Sequence, residues 1–240
     1  PIVTVAAVIQ HDTSEMAVLS SSSITRPTQF VGKRFASSGD PAEQTVIDLM
    51  EVSDGATNVG YHPTTVQNAD VSALVSGQFD FVWIYQGVEG IQAQDAGIKL
   101  RTFSLEQYGV PDFYSPVLIT SEIMIRQHPD IVREFVAAIA QGYTFAMQHP
   151  SQAVDQLMQG AKAQGGTLFD SRPVALDSQN YQSQHYADGV KCWGAQSATT
   201  WTGFPQLLYR AGALSDANGK PLTSPPDYNA MFTNQFLPSC

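Results

Sequence analysis

The residues best suited to chemistry lie in one stretch, Phe79-Asp80-Phe81-Val82-Trp83-Ile84-Tyr85-Gln86-Gly87-Val88-Glu89-Gly90-Ile91. Alternation with period two places Phe79, Phe81, Trp83 and Tyr85 on one side of a strand, and Val82 and Ile84 on the other. A strand apolar on both faces belongs in the middle of a sheet, covered on each side. At the carboxyl end of such a strand, side chains leave the sheet and face the crevice where open α/β folds bind ligands. Aromatic rings stack on flat conjugated solutes, and a carboxylate accepts from an amino group or a protonated ring nitrogen. The pattern therefore assigns Phe79 and Phe81 to packing, and Trp83, Tyr85 and Glu89 to a ligand.

A second candidate is the turn in Gly32-Lys33-Arg34-Phe35-Ala36-Ser37-Ser38-Gly39-Asp40-Pro41-Ala42-Glu43. It reads as a strand, a turn of small residues and a helix start, with Asp40 at the N-cap, Pro41 at the first helical position and Glu43 completing a capping box. Backbone N–H groups from Ser37 to Gly39, with the hydroxyls of Ser37 and Ser38, could hold a polar group of a ligand; an ordinary strand-to-helix turn fits equally well. Tyr61 and His62 follow another expected strand and fit packing better than binding.

Other chemistries find no support. The five histidines are scattered without metal-ligand spacing, so no metal site is expected. No Gly-x-Ser-x-Gly elbow, Cys–His arrangement or phosphate-cradling loop occurs, and no cofactor is called for. Twelve Lys plus Arg against 22 Asp plus Glu give a net charge of −10, which excludes nucleic acid and anionic membrane surfaces as partners. Two cysteines, Cys192 and Cys240, allow one bridge if the protein is exported, or two unrelated thiols. The opening Pro1 to Ile9 reads as a strand already under way without an initiator Met, from which a processed or incomplete N-terminus is expected.

The elements that must position these residues can be sketched along the chain. Helices are expected from Pro41 to about Gly55, from Thr64 to Ser76 and from Glu89 to Ala96. They alternate with strands near 32–36, 58–62, 79–85 and 98–105, the pattern of βαβ units and a mainly parallel sheet. After a loop at 108–116 and a strand from Val117, a long amphipathic helix is expected to turn Ile131, Phe135, Ile139 and Tyr143 inward. Another helix, Ser151 to Met158, is followed by a polar loop, Gly160 to Pro173, and shorter helices. With 240 residues, this reads as a compact α/β unit over 12–115 followed by a helical unit.

Several of these segments together resemble a known family. They are Gly32-Lys33-Arg34, the aromatic strand ending in Glu89-Gly90-Ile91-Gln92-Ala93, Tyr114-Ser115-Pro116-Val117-Leu118-Ile119-Thr120-Ser121-Glu122, and His128-Pro129 with Val132-Arg133-Glu134-Phe135. Cys192-Trp193-Gly194 with Trp201 and Phe204, then Gly212-Ala213-Leu214, complete the set. In order and spacing the chain resembles the NMT1/THI5-like, SsuA-like solute-binding proteins of ABC importers, most closely the branch that takes thiamine-pyrimidine precursors. The resemblance implies a type II periplasmic-binding fold with two α/β lobes and the ligand in a crevice between them. Pro1 to Ile9 and Val117 to Ile125 would be the crossovers and 12–115 lobe two. Residues 1–11 and 116–240 would then supply the crossovers and the helical remainder of lobe one, whose early strands should precede Pro1. It also implies a monomer outside the cytoplasm, periplasmic or extracellular, with or without a lipid anchor, that serves a membrane permease.

In that setting Trp83, Tyr85 and Tyr114 would supply stacking rings, Glu89 the amino-group partner, and Ser37 and Ser38 the contacts to a polar tail, with Tyr61 a weaker candidate. The ligand-binding branch shows an aromatic-plus-Glu pattern after the same strand, so the carry-over is strongest for Trp83 and Glu89. Other ligand classes stay open, riboflavin-type flavins on the one hand and aliphatic sulfonates, taurine or nitrate on the other. A fold kept without a ligand is a further reading. The family's fungal-type pyrimidine synthases carry a cysteine-rich run where this chain has Pro111-Asp112-Phe113-Tyr114-Ser115-Pro116, so a non-enzyme is expected.

Overall fold

In the computed structural model, residues 2–166 and 171–239 are described, with strands β1 (Ile2–Ala7), β2 (Ser14–Leu19), β3 (Arg34–Ser37), β4 (His62–Thr65), β5 (Phe81–Tyr85), β6 (Leu100–Ser104) and β7 (Val117–Ser121). The helices are α1 (Ala42–Ser53), α2 (Val71–Val75), α3 (Ile91–Asp95), α4 (Glu122–Gln127), α5 (Pro129–Gln148), α6 (Pro150–Ala163), α7 (Arg172–His185) and α8 (Ala198–Arg210). The chain divides into two units, one of Pro1–Asp12, Phe113–Gly203 and Pro226–Cys240, the other of Thr13–Asp112 and Phe204–Pro225.

The second unit is built on a five-stranded sheet of order β4-β3-β5-β2-β6. The aromatic strand β5 is its middle member, as its two apolar faces require. One face carries Phe81, stacked on Phe30 at 4.4 Å and tilted against Phe35 at 4.8 Å, with the edges of Tyr61 and Phe103 closing the group. The other face presents Val82 and Ile84 to Ala17, Ala36, Val71, Leu74 and Ala93. Fully burying rings of this size removes enough apolar surface that truncating one costs about 3–5 kcal/mol. Phe79 departs from the expected alternation. It lies ahead of the strand and packs against the aliphatic side, because the strand pleat begins only at Phe81.

The sheet is mixed and not mainly parallel: β3 runs parallel to β4 and β5, while β2 is antiparallel to both β5 and β6. β1 belongs to the other sheet, so no βαβ unit within this one sets the direction of β2. Two elements also differ from the periodicity. The strand expected at Asn58–His62 is β4, four residues further on, and the helix expected at 64–76 contracts to α2, capped by Asp70, whose side chain accepts from Ser72 N–H. Thr64, Thr65 and Val66 are β-branched and the first two extend the sheet edge instead.

In the first unit β1 pairs antiparallel with β7. The second crossover was expected to reach Ile125. The strand stops at Ser121, whose hydroxyl accepts from Met124 N–H and starts α4. Around β1, Ala6, Val8 and Ile9 pack with Ala140, Tyr186 and Trp193, and Val5 with Val132, Val136 and Phe236. The buried stripe of α5 is thus Val132, Val136 and Ala140. Of the four residues expected inward, Ile139 and Tyr143 join the Trp193 group, whereas Ile131 and Phe135 are exposed. α6 continues past Met158 to Ala163, and of the loop expected at Gly160 to Pro173 the residues 167–170 lie outside the described set. Cys192 is disulfide-bonded; Cys240 lies outside the described residues.

Candidate functional site

The parallel registry of β3 and β5, Phe35 with Phe81 and Ala36 with Val82, brings their carboxyl ends to one edge of the sheet. That edge carries Ser37 and Ser38 after β3, and Trp83, Tyr85 and Glu89 at and after β5. Six of the seven residues singled out from the sequence therefore lie in the second unit, five of them along this edge and Tyr61 deeper in the core.

Trp83 and Tyr85 continue the line of Phe81 out of the aromatic core. Phe81 is fully buried, Trp83 partly so, and Tyr85 is 44% exposed. The strand thus passes from packing to solvent in three steps along one face. The indole Nε1 of Trp83 is enclosed yet has no acceptor among the described residues. A buried donor without a partner costs about 1–3 kcal/mol, so its retention in a ring at the mouth of a strand end points to an acceptor brought by something else.

After Tyr85 the chain winds into a π-helical turn, Gln86–Gly90, before α3. Such turns are rare and frequent at functional sites. Glu89 reaches back from it, and its Oε2 accepts from Tyr85 N–H at 2.9 Å. The carboxylate is therefore fixed beside the exposed ring. Gln86, on the opposite face, donates through Nε2 to Glu15 Oε2 at 2.6 Å. A Cβ at Gly90 would stand 1.9 Å from Gln86 Oε1, so a larger residue there would displace the amide end of Gln86 from its place. Gln86 was not singled out from the sequence. A polar residue in register with Val82 and Ile84 was the available signal.

The β3–α1 turn differs from the expectation of free donors. Ser37 Oγ donates to Glu43 Oε2 at 2.5 Å, and Ser38 donates to Glu43 Oε1 through both its N–H at 2.8 Å and its hydroxyl at 2.7 Å. Gly39 N–H is accepted by Ser37 Oγ, and Ala42 N–H by Asp40 Oδ1. The N-cap of α1 is Pro41 and not Asp40, whose carboxylate accepts from Ala42 N–H one residue further out, and Glu43 reaches past it to the two serines, where Gly39, at φ +87°, folds the turn back over the helix start. The hydroxyls are thus engaged within the chain.

Tyr61 belongs to the aromatic core, edge-on to Phe35 and Phe81, and His62 is exposed at the start of β4. Burial, with the nearby carboxylates of Asp48, Glu43 and Glu51, pushes the Tyr61 phenol well above its usual range. Glu51 is fully buried. Its Oε2 accepts from Gly60 N–H at 3.0 Å, and burial together with Asp48 raises its pKa. This flank of α1 is acidic. Among the described residues no group of three or more His, Cys, Asp and Glu is placed to hold a metal ion.

Tyr114 is in the first unit and belongs to another cluster. Its hydroxyl accepts from Ser197 N–H at 2.9 Å, and its ring lies 6.0 Å from Trp201, which stacks on Phe232 at 5.9 Å. Trp201 Nε1 donates to Gln196 Oε1 at 3.0 Å. The polar atoms of Tyr114 and Trp201 are thereby satisfied.

A family model described as NMT1/THI5 like matches residues 1–153, more than half of the chain. The formylaminopyrimidine-binding protein of Halalkalibacterium halodurans is 24% identical over 202 residues, 84% of this chain and 61% of the relative. The riboflavin-binding protein RibY of Chloroflexus aurantiacus is 31% identical over 155 residues, 62% of this chain and 40% of the relative. This chain thus spans less than two thirds of the length of either. Among solved structures, the periplasmic aliphatic sulphonate-binding protein SsuA of Escherichia coli aligns with a TM-score of 0.64 at 14% identity, covering 94% of this chain and 70% of that one. The likeness shows the fold, that of the periplasmic binding proteins.

Proposed function

The chain belongs to the NMT1/THI5-like family, and from that premise we propose that it is the solute-binding component of an ABC importer and captures a small flat heterocycle of the thiamine-pyrimidine-precursor class. The observation that carries this reading is the end of β5, where the exposed ring of Tyr85, the unpartnered indole N–H of Trp83 and the fixed carboxylate of Glu89 converge. Rings stack on the heterocycle, the indole donates to a ring nitrogen or carbonyl, and the free oxygen of Glu89 accepts from an exocyclic amino group. The H. halodurans relative's name supports the pyrimidine class.

The protein on this reading is a binder and not an enzyme, works as a monomer outside the cytoplasm and hands its solute to a membrane permease. Its bonded Cys192 fits an oxidising compartment, and no described helix is long and apolar enough to cross a membrane. A lipid anchor would be one means of retention at the membrane. The identity with RibY favours a second reading, a flavin, whose larger ring system the same side chains could stack. Calorimetric titration of the protein with formylaminopyrimidine and with riboflavin separates the two. Micromolar or tighter binding of formylaminopyrimidine supports the first, binding of riboflavin alone supports the second, and binding of neither removes both.

A further inference from the structure

The aliphatic sulfonate-binding neighbour shows that this fold accommodates anions, and turns from strand to helix hold them well, because their N–H groups and hydroxyls converge at the positive end of the helix dipole. The corresponding donors here are engaged by the chain itself. Glu43 is only 6% exposed, and its two carboxylate oxygens take the hydroxyls of Ser37 and Ser38 and the N–H of Ser38. Ser37 is buried and Ser38 exposed, so the Ser38 N–H and hydroxyl would face solvent if the carboxylate were not seated on them. The charge that an anionic solute would bring is already present, covalently attached and within hydrogen-bonding distance. The cation of β3, Arg34, stands at the opposite end of the strand and is paired with Asp80 at 2.8 Å.

We propose that Glu43 sets the charge selectivity of the solute site: by filling the β3–α1 turn with the chain's own carboxylate, it admits neutral or cationic solutes and excludes sulfonates and other anions. This rests on the reading that solute binds at the carboxyl ends of β3 and β5. Glu43 acts as a specificity-determining residue without touching the solute. The device also accounts for two adjacent serines in a turn, which supply the buried carboxylate with three donors.

The test titrates ethanesulfonate and formylaminopyrimidine into the wild-type protein, Glu43→Ala and Glu43→Gln, with circular dichroism to verify folding. Wild type should show no ethanesulfonate binding. Freeing hydrogen bonds to a charged group should raise the ethanesulfonate affinity of Glu43→Ala by about tenfold or more, while formylaminopyrimidine affinity changes by less than about threefold. If Glu43→Ala does not fold, Glu43→Gln, which keeps a carbonyl acceptor but loses the charge, should show a smaller gain in the same direction. Ethanesulfonate binding by the wild type, or no gain in any folded variant, overturns the proposal. Failure of the wild type to bind formylaminopyrimidine would sink the solute class instead, and a gain of sulfonate binding in the variant would still uphold Glu43 as the charge gate.

Discussion

Two aromatic clusters with nearly the same composition behave differently. In the first unit, Tyr114, Trp201 and Phe232 stack while the phenol and indole find Ser197 and Gln196 as partners. In the second, Trp83 and Tyr85 extend from a packed core towards solvent, and the indole N–H of Trp83 finds no acceptor among the described residues. A closed set of ring and polar contacts is what a chain builds to hold itself together. An open set, retained at the mouth of a central strand, is what it builds to hold something else. The contrast teaches that aromatic content does not separate structural from binding rings, and that hydrogen-bond accounting does.

The comparison can be broken in several ways, the largest effect first. Trp201→Ala removes the stack on Phe232, the contact with Tyr114 and the bond to Gln196. Urea denaturation should show a loss of about 2–4 kcal/mol for this half-buried ring, with pyrimidine affinity little changed in the folded fraction. A stability change below about 0.5 kcal/mol would mean that the first cluster is as open as the second. Glu89→Gln should weaken formylaminopyrimidine binding by about 1–3 kcal/mol while leaving the fold intact, since the amide oxygen can still accept from Tyr85 N–H. An unchanged affinity removes Glu89 from the site. Tyr114→Phe should cost about 0.5–1 kcal/mol of stability through the lost bond from Ser197 N–H, which water then takes up in part, and nothing in solute binding.

The smallest expected effect concerns the acidic flank beneath the site. Burial raises the pKa of Glu51 in the folded protein, so the native state binds more protons than the unfolded one above the ordinary glutamate range. The associated stability is present below pH about 4.5 and is lost as pH rises from there through the folded value. Asp54 runs the other way. Its bonds to Arg26 and Thr28 lower it to about 2, so its contribution is present above the ordinary Asp range and is lost as pH falls towards that value. Unfolding midpoints followed between pH 4 and 8 should therefore show Glu51→Gln with a flatter decline than wild type. A steeper one would contradict the assignment.

How much of this could be read from the residues varies with the range of the interaction concerned. The central place of β5 was legible, because Val82 and Ile84 opposite Phe81 leave no polar face. The start of α1 was legible to within one residue, with Asp40 accepting from Ala42 N–H. The reach of Glu43 to Ser37 and Ser38 was not, since a capping-box pattern fixes the spacing and not the fold of the turn that precedes it. Ile131 and Phe135 followed helical period yet stand exposed, because what lies against a stripe is decided by tertiary partners that periodicity does not name. The direction of β2 was equally hidden, since a connection's length suggests but does not determine strand polarity. The cluster around Tyr114 joins segments far apart in the chain, and its closure depends on Ser197 and Gln196, neither distinctive in sequence.

The central claim is that the end of β5 receives the solute. Its most direct test is the affinity of formylaminopyrimidine, by calorimetry, for the wild-type protein and for Trp83→Phe combined with Tyr85→Ala. The account predicts that the double variant folds with near wild-type stability, because Phe fills most of the indole volume and no internal hydrogen bond of Trp83 is lost. It predicts an affinity lower by about a hundredfold, one donor and one stacking ring having been removed. A folded double variant that binds as tightly as wild type would contradict it.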